Sequence, residues 1–206
     1  MIARLVAFAI VVVAAALGPE PALAHHLMGG KMPTSFGEGL LSGLGHPVLG
    51  LDHLAAVIAV GCLAATQRPG AWLAIGYVVA MMVGAAAHVG EATVPGAEIF
   101  VAVSVIALGV LLIRKSPLRL DIVISLFAFT GLVHGYALGE SIAGAEQTPI
   151  YGYFIGLILI QSGIVLLALA AVPLLAARKP TVSRLIGGVV AGVGCGVLLL
   201  QIIAAA

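Results

Sequence analysis

Six apolar runs, at residues 46–66, 71–90, 98–113, 120–138, 150–177 and 185–204, fill most of the chain, each close to the roughly 20 residues that carry a helix across a bilayer. The breaks between them are each built around a proline: Arg68-Pro69-Gly70, Val94-Pro95-Gly96, Lys115-Ser116-Pro117, Thr148-Pro149 and Lys179-Pro180. Of the 206 residues, 62% are hydrophobic and only 8% charged. A water-soluble core cannot hide that much apolar surface, so soluble classes are excluded. The expected fold is all-α: a polytopic membrane protein of six transmembrane helices, with membrane lipid as a partner and no nucleic acid.

Ahead of these runs, Met1-Ile2-Ala3-Arg4, an apolar stretch to Leu17, and Ala22-Leu23-Ala24 form the pattern of a cleavable signal peptide. The expected organisation is a signal peptide at 1–24 and one six-helix domain at 25–206. An uncleaved first span is the alternative, but the stretch is short for a bilayer. Cleavage after Ala24 makes His25 the mature amino terminus, where a free amine beside His25 and His26 would suit copper(II) or nickel(II). A solvated tail is the plainer reading of that pair.

Charge placement sets the orientation. Arg68, then Arg114, Lys115 and Arg119, then Arg178, Lys179 and Arg184 fall in alternate connections, which the positive-inside rule assigns to the cytoplasm. Glu91, Glu98, Glu140 and Glu146 fall on the other side. Both mature termini are therefore expected outside the cytoplasm, in a bacterial inner membrane.

That topology brings the unusual polar residues to one depth. His46-Pro47-Val48-Leu49-Gly50-Leu51-Asp52-His53 places two imidazoles and a carboxylate where charge is costly. On one continuous helix His46 and His53 share nearly one face, with Asp52 turned about 100° from His53. His46 before Pro47 fits a first helical turn, so a cap is the plain reading. Three metal-capable side chains within eight residues favour an ion site, and imidazole with carboxylate suits a divalent transition metal. His88 and Glu91 have the i, i+3 spacing that lets two ligands share a helix face, and His88 continues a small-residue stripe of Gly76, Ala80 and Gly84. An interfacial ion pair is the alternative there. His134-Gly135-Tyr136-Ala137-Leu138-Gly139-Glu140 joins a histidine to two glycines near a span end, where Tyr136 either orients a ligand or anchors the helix at the interface.

Other features read as structural. Cys62 and Cys195 lie in apolar runs and form no redox motif. Gly188, Gly192 and Gly196 mark tight helix packing, and a homo-oligomer is allowed.

The segment HPVLGLDH resembles the HPxxGxDH motif of the HupE/UreJ family of nickel permeases, and HGYALGE resembles that family's HGxAHGxE motif. Length, signal peptide and six spans match as well. The resemblance implies transport of Ni²⁺, with Co²⁺ as the second candidate, and no enzymatic activity or resident cofactor. It carries over His46, Asp52, His53 and His134 as metal-handling residues. At 138 this chain has Leu where the family has a second histidine, and Glu140 falls one position early. Either His88 or Glu146 supplies the missing ligand, or the metal preference differs. The candidate metal set is His46, Asp52, His53, His88, Glu91, His134 and Glu140. No GxxxxGK[ST] loop couples the chain to ATP. The competing class is an intramembrane zinc-dependent hydrolase, in which three His and an Asp hold Zn²⁺ and activate water. A proton-coupled or metal-sensing component is a third reading.

Overall fold

Among the described residues, the first helix is capped by Ser35, well ahead of the first expected span. Its hydroxyl accepts from the Glu38 N–H at 3.2 Å, while the Glu38 carboxylate accepts from the Thr34 N–H at 2.7 Å and its hydroxyl at 2.9 Å. This reciprocal cap satisfies donors that a helix start otherwise leaves open. The structure, a computed structural model, describes residues 31–114, 118–178 and 181–205. The expected signal peptide at 1–24 and the His25-His26 pair lie outside the described residues.

The elements are α1 (Phe36–Leu49), α2 (Leu51–Ala64), α3 (Gly70–Val89), α4 (Ala97–Ile113), α5 (Leu120–Gly139), a 3-10 turn (Glu140–Ile142), α6 (Gln147–Arg178) and α7 (Val182–Ala204). All regular structure among the described residues is helical. Among the described residues, four helices, α3, α5, α6 and α7, are long and apolar enough to cross a membrane, and α1 with α2 makes a fifth candidate, bent by 78°. At 17 residues, α4 is at the short limit for a span.

The bend corrects one sequence reading. A continuous helix over 46–66 put His46 in a first turn, but His46 lies in the last turn of α1 and the break falls at Gly50, where φ is −75° and ψ is 102°. The Gly50 N–H closes α1 on the His46 carbonyl at 2.9 Å, and the Gly50 carbonyl opens α2 by accepting from the Leu54 N–H at 2.9 Å. A Cβ at Gly50 would stand 2.8 Å from His53 Cδ2 and 3.2 Å from Asp52 Oδ1. Absence of a side chain there is what lets the motif fold onto itself.

Packing follows small residues. The dominant pairs are α3 on α5, α1 on α6 and α4 on α7. Gly84 of α3 meets the Leu132 carbonyl, and Gly135 of α5 meets the Met81 carbonyl, so these two backbones approach without intervening side chains. Gly39 and Gly43 do the same for α1 against Pro149 and Tyr153 of α6, and Gly109 against α7. The glycine run of the last helix thus packs inside the molecule, with Gly187 and Gly194 against α4 and Gly188, Gly192 and Gly196 buried.

These contacts also fix direction. Ala64 ends α2 beside Gly70, Gln67 Nε2 donates to the Leu118 carbonyl just before α5, and Gly187 of α7 touches Leu112 and Ile113 of α4. One end of the bundle therefore holds Arg68, Arg114, Arg119 and Arg184. At the other end Gln201 Nε2 donates to the Glu98 carbonyl, and His88 lies against Gly139.

Candidate functional site

The motif bend and the last turns of α5 meet inside the bundle. His53, in the first turn of α2 and 7% exposed, points its Nδ1 at Nδ1 of the fully buried His134 of α5, 3.0 Å away. On the far side of the His134 ring, Nε2 lies 2.9 Å from Ser104 Oγ of α4, and that hydroxyl donates to the Val101 carbonyl at 2.8 Å. Asp52 sits at the amino-terminal end of α2, where Oδ1 accepts from the His53 N–H at 2.8 Å and the carboxylate complements the helix dipole. His46 stands next to His53, ring centroids 6.1 Å apart, and its Nδ1 lies 3.0 Å from Ser141 Oγ. Ser141 in turn donates to the Leu138 carbonyl, which also receives the Tyr153 hydroxyl at 2.6 Å.

His46, Asp52, His53 and His134 are thus drawn into one neighbourhood. His88 is at the same end of the molecule but on a different face of α5: its ring packs on Tyr136 at 4.3 Å between centroids, and its Nδ1 is buried with no hydrogen-bond partner among the described residues. The reason is helical geometry, since residues 134 and 136 point about 200° apart. Tyr136 meanwhile fastens the loop after α3, donating to the Ala92 carbonyl at 2.9 Å and accepting from the Val94 N–H at 3.0 Å. Glu91 and Glu140 are exposed beside this loop and beyond α5. Glu91 has φ 65°, a left-handed conformation that costs a non-glycine residue about 1–2 kcal/mol.

No three His, Cys, Asp or Glu side chains among the described residues converge closely enough to hold an ion by themselves. What the arrangement offers an ion is two facing imidazole nitrogens. Two imidazole nitrogens each about 2.0–2.1 Å from one ion at a right angle stand about 2.9 Å apart, close to the spacing of this pair. Remaining coordination would come from water or from His46 and Asp52 after side-chain movement. An apolar groove of about 420 Å³ between α2 and α7, lined by residues such as Leu54, Ile58 and Val189, holds none of these groups.

Sequence reasoning missed Ser104, Ser141 and Tyr153. Ser104 carried a signal, as the one hydroxyl in the apolar run 98–113.

The model of the family described as HupE / UreJ protein matches residues 12–197, which include both motifs and every helix that meets at the histidines. The chain belongs to the HupE/UreJ family. Protein HupE of Rhizobium leguminosarum bv. viciae is 28% identical over 185 residues, covering 87% of this chain and 92% of that protein. No solved structure matches. The HupE/UreJ family is associated with nickel and cobalt transport, and with several apolar helices this member is a membrane protein. Nothing in the family supports the zinc-hydrolase reading. Ser141 stands where the HGxAHGxE pattern carries its glutamate, so this HupE/UreJ protein presents a hydroxyl to His46 at that position.

Proposed function

We propose that this protein moves a divalent transition-metal cation, Ni²⁺ first and Co²⁺ second, across the bacterial inner membrane into the cytoplasm through six helical crossings. The observation that carries the reading is the buried His53–His134 pair, with ring nitrogens 3.0 Å apart inside an apolar bundle. Burying polar groups in such a place is expensive, and imidazole is a ligand suited to these ions. His46 and Asp52 complete the seat as the hydrated ion sheds water. His88, Glu91 and Glu140 line the approach at the same end, where negative charge raises the local cation concentration.

A seat with only two fixed nitrogens binds weakly enough to release its cargo, as conduction requires. The test is ⁶³Ni uptake by proteoliposomes, with Co²⁺, Zn²⁺ and Cu²⁺ as competitors. Saturable Ni²⁺ uptake suppressed best by Co²⁺ is expected. Binding without flux would reject transport, and stronger suppression by Zn²⁺ or Cu²⁺ would reassign the cargo.

A further inference from the structure

The His134 ring is held from one side only by Ser104, and the hydrogens there can be counted. A serine hydroxyl has one proton. The Ser104 proton is directed to the Val101 carbonyl three residues back, at 2.8 Å, a local bond that helical serines commonly make. With that proton engaged, the oxygen has only lone pairs to offer His134 Nε2, 2.9 Å away, an arrangement that suits a ring proton on Nε2. In a neutral imidazole the other nitrogen then carries a lone pair. That other nitrogen is Nδ1, the atom facing His53 at 3.0 Å.

We propose that Ser104 is a positioning residue: it fixes His134 as the Nε2–H tautomer, so that Nδ1 accepts from the His53 Nδ1–H and only the His53 proton has to give way to a cation. The proposal rests on the transport reading for its use but not for its geometry. Ser104 itself is 2% exposed, so no bulk water competes for the His134 proton. Without the hydroxyl, the Nε2–H of His134 would have no acceptor, and the tautomer that leaves Nδ1 free for a cation would be disfavoured. Ser141 repeats the device at His46: its hydroxyl donates to the Leu138 carbonyl three residues back and lies 3.0 Å from the ring Nδ1.

Solid-state NMR of ¹⁵N-histidine-labelled protein in lipid bilayers reads the tautomer directly, with the His134 signal identified by its loss in His134→Gln. The unmodified protein should show His134 protonated at Nε2, and Ser104→Ala should shift population toward Nδ1–H. The Ni²⁺ KM of Ser104→Ala should rise by about 10–100-fold, the usual cost of losing a group that orients a metal-binding histidine. Ser104→Thr, which keeps the hydroxyl, should restore both tautomer and KM. A proton on Nδ1 in the unmodified protein, or a Ser104→Ala variant in which either the tautomer or KM stays put, overturns the proposal. Absence of any metal flux in the unmodified protein would instead overturn the transport reading and leave the tautomer measurement to decide the role of Ser104.

Discussion

At the scale of single residues, the His53–His134 pair should behave as a unit. Each ring is the other's partner, so His53→Ala and His134→Ala should each reduce uptake to background, and the double variant should be no worse than either single one. Additive losses in ⁶³Ni uptake would show two independent sites. Truncating one ring leaves a buried nitrogen unpaired at a cost of about 1–3 kcal/mol, so membrane insertion and monodispersity must be checked alongside. Gly50→Ala tests the proposed seat without replacing any of its side chains: the added carbon would fall 2.8 Å from the His53 ring, and uptake should drop at least tenfold while the protein still inserts. Normal uptake in Gly50→Ala would mean the His53 ring has room to move. His46, Asp52, His53 and His134 could be singled out in the sequence because charge inside an apolar run is conspicuous. Ser104 stood out only as the one hydroxyl of its run, and neither serine could be matched to its histidine, because the partner lies 30 positions away for Ser104 and 95 for Ser141.

At the scale of elements, α1 escaped detection because its Gly-rich, weakly apolar turn pattern does not look like a span, although Ser35 and Glu38 spell out a helix start. The apolar run beginning at 46 hid the break, since Leu49, Gly50 and Leu51 read as continuous hydropathy and only Gly50's contacts with His53 and Asp52 show why the chain turns. The end of α3 offers a separate test. Glu91 occupies the left-handed position that glycine usually takes when a helix closes, with the Ala92 N–H reaching back to the Ala87 carbonyl at 3.0 Å. Keeping a carboxylate there costs stability, which argues for a use of the charge. Glu91→Gly should therefore raise thermal stability in detergent, recovering up to about 1–2 kcal/mol, while raising the KM for Ni²⁺ at low ionic strength. A variant that is more stable and transports with unchanged KM would reduce Glu91 to an incidental surface residue.

For the whole molecule, the run lengths and prolines announced the alternating helices, but not which helices pair, because pairing is decided by glycines on both partners, such as Gly84 with Gly135 and Gly109 with Gly187. The result is a bundle with two chemically distinct ends, arginines at one and histidines with glutamates at the other. If the positive-inside rule holds, the arginine end faces the cytoplasm. A cysteine at Glu146 in a background lacking Cys62 and Cys195 should then react with a membrane-impermeant maleimide in intact spheroplasts, and one at Gln67 only after permeabilisation; the reverse pattern would invert the orientation. Orientation in turn sets the energetics. A divalent cation entering from the histidine end toward an inside-negative compartment gains about 4.6 kcal/mol per 100 mV, twice the single-charge value. Such a gradient can concentrate metal without ATP. In proteoliposomes carrying an inside-negative potassium diffusion potential, initial ⁶³Ni uptake should grow with the imposed voltage and fall to the equilibration rate when the voltage is collapsed. Uptake that ignores voltage, yet follows an imposed pH gradient, would show that compensating protons cross with the metal and that the two-histidine seat is part of an exchanger.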